Sequence, residues 1–469
     1  MGLLADAGKN GVFTDVPADH TRAAVIAAAG KAGLVNGYDN GDGTFCFKPD
    51  NTITRAEVVK VINNAYGKKP TAEGIFDSAK TKFSDVTADH WAFADIIDAA
   101  VTHISCITEG DKEIWKYVND EAISADGFAA DLDAGKKAMD EYSALIDKRA
   151  QEIKATPNMD LSGITGKKYY VSSSAGNDAN DGLSEATPFK TITKAMETAI
   201  KGDAVLLKRG DMWRERINTK AGTVMTAYGT GAKPIINSNV HGDVADESLW
   251  TLVEGTTDLW KYTREVPDVG NIVVNGNKTI EKFTANVKYK DNATYVGNEI
   301  FDPVKHLTKD NYFMSLFTEV SGNSANMDKS TLYVRCKAGN PGKVYDTIEL
   351  CYRGHGIKNA ANTVIDNIAL FYAGSHGVSS NGTNVKFTNM EIGYIGGSSQ
   401  NTSGGTMTRF GNGIEVYGAC DGFTIDNCYV YQCYDAGITH QMQLGGGSSC
   451  IEQNVWFTNN VIDRCIYNI

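Results

Sequence analysis

At 469 residues the chain is long enough for two or three domains, each able to bury its own core. Charged residues make up 22% and hydrophobic ones 42%, a globular composition that argues against long disordered stretches. The net charge of −12 disfavours nucleic acid as a partner, because phosphate binding needs clustered Lys and Arg.

No stretch approaches the roughly 20 apolar residues of a membrane span. The opening "MGLLADAGKNG" has neither the basic start nor the apolar centre of a signal peptide, so either a leader has been removed or the chain is not exported. Nine cysteines, an odd number scattered from Cys46 to Cys465, make no disulfide framework, and none has zinc spacing. Cys433 and Cys465 fall in one repeat column, as an inward pair of thiols or as a disulfide.

In chain order, residues 13 to 67 are answered 70 positions later: Phe13 by Phe83, Asp15 by Asp85, His20 by His90. Each copy reads as a helix, a loop and a second helix. In the first, Asp19 or a neighbour caps a helix over 23–32, Gly33 ends it, and Thr54 with Glu57 has capping-box spacing for the second. FxDV, the DH pair, GLVNGY, the DGTFxFKPD loop and ITRAE stand in order, and this copy resembles the S-layer homology domain, a bacterial cell-surface module. The resemblance implies that Asp15, Arg55, Glu57, Asp85 and Trp91 bind a pyruvylated secondary cell-wall polysaccharide, with the Arg55 fork reading the pyruvate carboxylate. It also implies an extracellular place on the cell wall or S-layer. The second copy has Ser124-Ala125-Asp126-Gly127 where the arginine motif should be, so that site is expected to be lost.

From residue 134 to 153 apolar residues recur at steps of three and four (Met139, Tyr142, Ile146, Ala150, Ile153), which predicts an amphipathic helix. Thr156-Pro157 stops it and a linker follows. A β run from Lys168, a polar turn "GNDANDG" and a helix around Ile192 resemble the opening of carbohydrate-active β-helix proteins, whose helix plugs the end of the coil. The polar turn reads as a turn or as an ion site, calcium being the one cofactor considered.

Between Leu249 and Leu350 short alternating runs predict a small β-sandwich inserted into the coil. Its aromatics, Trp250, Trp260, Tyr262, Tyr312, Phe313 and Tyr333, suit a core or a sugar platform. From Ile357 a theme repeats, with Asn367, Asn389, Asn427 and Asn459 in one column and 22 residues between the first two. Short strands with an Asn at each turn mark a stacked, coiled sheet, since Asn tolerates a left-handed backbone. Here the chain resembles the right-handed parallel β-helix proteins, the pectate-lyase-like group, which contains hydrolases, lyases and binding proteins alike.

The predicted organisation is therefore two S-layer homology repeats (1–133, the second degenerate), a helix and linker (134–166), the cap and first coils (167–248), the inserted sandwich (249–352) and further coils (353–469). The last coil is expected to be covered by further chain or by a second copy.

Alternation along "HGVSSN", "NGIEVYG" and "AGITHQM" puts Val378, Ile414 and Ile438 inward. Ser379, Glu415 and Thr439 then form one outward column, and Asn381, Tyr417 and Gln441 the next. Loops at 396–411 and 444–453 flank this face. Glu415 with Asp435 on the next coil could cleave a glycosidic bond, and Arg409 could neutralise an acidic sugar, which would favour a lyase. His440, alternating inward beside Val416, is a core histidine or a base. With no DxD cluster for calcium, metal-free hydrolysis of an extracellular polysaccharide is favoured over lysis. The alternative is a non-catalytic adhesin using the coil as a rod.

Overall fold

The computed structural model describes residues 13–109, 112–118, 125–380, 382–441 and 451–467. The chain divides into two compact units, residues 1–138 and 139–469.

In the first unit both copies begin their helices with the same device. His20 Nδ1 accepts from the Arg22 amide at 3.2 Å before helix Ala23–Lys31, and His90 Nδ1 accepts from the Ala92 amide at 3.2 Å before helix Phe93–Ala100. Histidine thus takes the place expected for Asp19. Helix Ala23–Lys31 ends at Gly33, whose φ of 70° lets the Leu34 amide return to Ala29 O. Thr54 and Glu57 close the expected capping box on helix Arg55–Ala65. The two copies bury separate cores, Phe13, Val16, Ala23 and Ile26 in one and Ile75, Phe93, Ile97 and Trp115 in the other. Lys60 pairs with Asp95 at 2.9 Å and Lys68 with Asp98 at 2.8 Å, tying the helices together.

The helix expected from residue 134 is continuous from Ala125 to Lys154. Residues 125–133 carry no proline and are rich in Ala, so nothing breaks the helix before the amphipathic stretch begins. Its last turns bury apolar side chains: Ala150 and Ile153 pack with Val273, Tyr394, Tyr429 and Tyr431, whereas Met139 and Tyr142 are exposed.

The second unit is a parallel coil of three sheets with five, six and seven strands. Helix Ile192–Thr198 closes its first turn, burying Ile192, Ala195 and Met196 in the same core as Ile217, Ile357, Val378, Ile414 and Ile438. In "GNDANDG" the Asp178 carboxylate accepts from the Lys190 and Thr191 amides and Asp181 from the Leu183 amide, so backbone donors occupy them.

After Ile235–Asn237 the chain leaves the coil and forms a seven-stranded sheet from Trp250–Leu252 to Ile348–Tyr352, with a three-stranded sheet over 287–300. It rejoins at Ile357–Asn359, which lies parallel to Ile217–Asn218, so the coil resumes in register. Trp250, Tyr262 and Phe313 are buried in the insertion's core, while Trp260, Tyr312 and Tyr333 are half-buried against it. Asp268 pins the insertion inside the unit: fully buried, it pairs with Lys282 at 2.7 Å and accepts from the Ser399 amide at 2.6 Å. Burial pushes the Lys282 ammonium down to about 8, Asp268 opposing.

At the asparagine corner, Asn367, Asn389, Asn427 and Asn459 all have φ between 55° and 60°. Asn427 Nδ2 donates to Asn389 Oδ1, Asn389 to Asp366 and Asn459 to Asp426, which links successive coils by side-chain hydrogen bonds. Arg149 of the long helix donates to Asn427. The described cysteines are free thiols, Cys433 and Cys465 being hydrogen-bonded neighbours.

Candidate functional site

The five-stranded sheet runs Ile217–Asn218, Ile357–Asn359, Val378–Ser380, Ile414–Tyr417 and Ile438–Gln441. Its register puts Ile217, Ile357, Val378, Ile414 and Ile438 in one column, all buried. The next column is Asn218, Lys358, Ser379, Glu415 and Thr439, which extends the expected outward column by two coils. Tyr417 stands opposite Gln441, and Asn381 lies outside the described residues.

Upstream of these strands the ladder continues as backbone bonds. Gly356 N donates to His376 O, Gly377 N to Asn412 O and Gly413 N to Ala436 O, which stacks His355, His376, Asn412 and Ala436 on successive coils. The rings of His355 and His376 are parallel within 3°, with centroids 5.1 Å apart, close to the ~4.8 Å strand spacing. His376 Nδ1 accepts from the Asn412 amide at 3.0 Å, which leaves the proton on Nε2. Nε2 in turn donates to Glu415 Oε2 at 2.6 Å.

Asp435 occupies the column before His376, its amide bonded to Gly411 O. Burial pushes its carboxyl up from the usual range, His376 opposes that, and the Glu415 charge adds to it. Glu415 is 7% exposed, and Phe410 packs edge-on against His376 with centroids 4.8 Å apart.

The other two predicted residues are placed differently. Arg409 does not face the Glu415 column. Nε donates to Gly397 O at 2.6 Å and Nη2 to Gly270 O at 3.2 Å, while the guanidinium lies 4.1 Å from the Tyr434 ring centroid. Its fork fastens the 396–411 loop to the insertion. His440 stands opposite Val416 as expected, yet its side chain is 53% exposed and Nδ1 meets Glu452 Oε2 at 2.7 Å. It belongs to the outermost described strand of its sheet, so no further described strand covers it. Residues 442–450 of the second flanking loop lie outside the described residues.

Alternation did not reveal His376, His355, Lys358 or Arg216. Two HG dipeptides, 355–356 and 376–377, carried a signal for the histidine column. A cavity of about 350 Å³ is lined by Arg216, Arg353, His355, Lys358, Ser375 and Phe410 among others, and a second of about 310 Å³ shares Arg216, Ile217 and Asn218 with it. Neither is lined by Glu415 or Asp435: Lys358 stands two coils from Glu415 in the same column, and Phe410, which lines the first cavity, packs against His376.

In the first unit, Asp15 holds the Phe47 and Lys48 amides, each at 2.7 Å. Burial raises its carboxyl, but these amides outweigh it and keep Asp15 below the usual range. Glu57 caps its helix and accepts from the Tyr38 hydroxyl, which with the Thr54 donors holds it low. Arg55 is exposed at the first turn of its helix with no ion pair among the described residues. Asp85 and Trp91 are exposed, the Trp91 ring lying over His90.

Residues 12–59 match the sequence profile of the S-layer homology domain. The chain is 36% identical over 110 residues, 21% of its length, to the lacto-N-biosidase of Bifidobacterium longum subsp. longum, and 27% identical over 319 residues, 63% of its length, to a cell surface protein of Thermoanaerobacter kivui. It spans only 7% and 39% of those relatives' own lengths. Among solved structures, XylC in complex with xylose is similar at a TM-score of 0.34 and 13% identity, covering 64% of either chain. Residues 12–59 are an S-layer homology domain, and the same chain continues into a parallel β-helix.

Proposed function

We propose that the chain is a bacterial cell-surface, carbohydrate-active protein whose helical repeats hold it on cell-wall polysaccharide and whose coil face hydrolyses a glycan. The observation that carries the hydrolase reading is the Glu415–His376 pair at 2.6 Å with Asp435 on the next coil. A glycosidase needs one carboxyl that keeps its proton and one carboxylate. Asp435, pushed up by burial and by its neighbour's charge, suits the acid. Glu415, receiving the His376 N–H, suits the carboxylate that attacks or activates water. Arg409, with carbonyls and Tyr434 as partners, has no place in a lyase's charge neutralisation, which favours hydrolysis.

Near-complete burial of Glu415 favours a second reading, a rigid glycan-binding rod without turnover. Reducing-sugar release from a polysaccharide panel separates the two. Turnover by the parent chain that disappears in Glu415→Gln and Asp435→Asn supports the enzyme, and binding on a glycan array without release supports the rod.

Attachment through the first repeat rests on Arg55. Its free guanidinium offers a fork for the carboxylate of a pyruvylated wall polysaccharide. Wall fragments should retain the chain and lose it in Arg55→Ala, with fragments stripped of pyruvate as the control.

A further inference from the structure

The cavity at Arg216, Arg353 and Lys358 carries positive charge in a chain whose net charge is −12. Two arginines two positions apart show how it arises. Arg214 is answered in full: Nη1 and Nη2 reach Glu349 at 2.9 and 2.7 Å. Arg216 has no carboxylate partner among the described residues. Nε donates to Ser238 O at 3.3 Å, Nη1 to Arg353 O at 3.0 Å and Nη2 to Tyr352 O at 3.0 Å. Carbonyls satisfy three of its five N–H groups but supply only partial charge, so a whole positive charge is left at the cavity wall.

The backbone is shaped to put it there. Gly354 has φ of 136°, and a Cβ on it would stand 2.1 Å from Arg216 Nη1. No other residue type would let the guanidinium lie across that turn. Around it, Lys358 is exposed in the outward column with no ion pair among the described residues, and Arg353 donates Nε to Ser399 O at 3.1 Å and pairs with Asp328, which is 71% exposed. The His355 ring lines the same cavity, and its buried Nδ1 has no hydrogen-bond partner. Burial, with His376, Lys358, Arg216 and Arg353 all nearby, drives its imidazole down to about 4, so it is neutral. At about 350 Å³ the cavity falls in the ~300–1,000 Å³ range of small-ligand sites.

We propose that the cavity lined by Arg216, Arg353, His355 and Lys358 is a subsite for an anionic sugar, one bearing a carboxylate or a sulfate, on the same sheet face as Glu415 and two coils from it. The proposal rests on the groove being a glycan site, and it names the class of glycan. Arg216 supplies fixed charge and two free N–H groups, and Lys358 a movable ammonium at the mouth. A neutral sugar would leave both cations unanswered, so selectivity should run toward acidic glycans.

The test uses the full chain carrying Glu415→Gln, so that binding is read without turnover. Calorimetric titration compares oligogalacturonides, sulfated galacto-oligosaccharides and neutral xylo-oligosaccharides of equal length. At least one anionic series is expected to bind at least tenfold tighter than the neutral one, and whichever does identifies the anion. Lys358→Gln, on an exposed side chain that supports no packing, should weaken anionic binding about tenfold and leave neutral binding unchanged. Equal affinity for charged and neutral oligosaccharides overturns the proposal, as does a Lys358→Gln variant that binds the anionic ligand unchanged. Acidic oligosaccharides bound but never cleaved by the parent chain would refute hydrolysis and leave the subsite standing. Cleavage without any charge preference would do the reverse.

Discussion

Two corners of the same coil obey opposite rules. At one, asparagine recurs on coil after coil, Asn367, Asn389, Asn427 and Asn459, always with φ near 55–60°. At the other, the equivalent places hold His355, His376, Asn412 and Ala436, and three positions on, Lys358, Ser379, Glu415 and Thr439. A left-handed turn followed by a stacked side-chain hydrogen bond is the same problem on every coil, so it has the same answer. A site is made once. A column in which the residue changes on each coil can put a cation, a hydroxyl and an acid side by side at ~4.8 Å intervals. Uniformity in a stacked sheet therefore marks support, and variety marks chemistry.

The largest effect that would break this comparison is at the varied corner. Asp435→Asn and Glu415→Gln should each cut glycan hydrolysis by about 10²–10⁴-fold with circular dichroism unchanged, as expected when an acid or its partner carboxylate is lost. Comparable activity in either variant would return the column to ordinary surface polarity.

Next is the joint that holds the insertion against the 396–411 loop. Asp268→Ala strands the Lys282 ammonium in a site where it is 2% exposed and also removes the acceptor of the Ser399 amide. An uncompensated buried charge costs about 3–5 kcal/mol, so Tm should fall by roughly 5–10 °C. Replacing both partners with apolar residues, Asp268→Leu with Lys282→Met, should recover much of that loss, which differential scanning calorimetry would show.

The uniform corner predicts a smaller, graded loss. Asn427→Ala sacrifices the hydrogen bond to Asn389 and puts Ala at φ 55°, for about 2–3 kcal/mol in all. Asn427→Gly keeps the backbone and loses only the side chain, so it should cost about half as much. Equal effects in urea unfolding would show that the stacked amides, not the turn, carry the corner.

The same contrast explains what could be read in advance. The asparagine column was legible because each turn's requirement is local: four residues with the same backbone need the same side chain. Glu415 could be placed in its column because strand alternation fixes which way a side chain faces, and Asp435 because the repeat puts its turn on the next coil. His376 escaped, because its role depends on three coils at once, the Asn412 amide behind it and Glu415 in front. Arg409 was misjudged because its partners, Gly270 and Gly397, are 139 and 12 residues away and offer only carbonyls, which no side-chain pattern announces. Lys358 and Asn218 were missed because the insertion separates their strands, and the repeat could be aligned only after it. The long helix was underestimated at its start because amphipathic spacing detects a packed face, and that spacing begins only at Met139, with Ala150 and Ile153 packed at its end.

The smallest effect concerns pH, and its sign distinguishes Asp435 of the coil from Asp15 of the first unit. Asp435 is raised by burial, with His376 opposing and Glu415 adding. A group raised in the folded state holds its proton more tightly there than in the unfolded chain. Its contribution to stability is fully present below the ordinary carboxylate value and is lost as pH rises through the folded value. Asparagine mimics the protonated form at every pH, so Asp435→Asn should match the parent in acid and gain slightly at neutral pH, within about 2 °C in Tm. Activity should fall on the alkaline side as pH rises through the same value, since the acid then arrives without its proton. Asp15 in the S-layer homology domain runs the other way: held below the usual range by two amides, it stabilises its loop above the unfolded carboxylate value and loses that contribution as pH falls through the folded one. Asp15→Asn should therefore weaken the first repeat at neutral pH and leave it nearly unchanged in acid. Melting curves for the two variants that lean the same way with pH would mean that Asp435 is an ordinary capped carboxylate, and the acid role would pass from it.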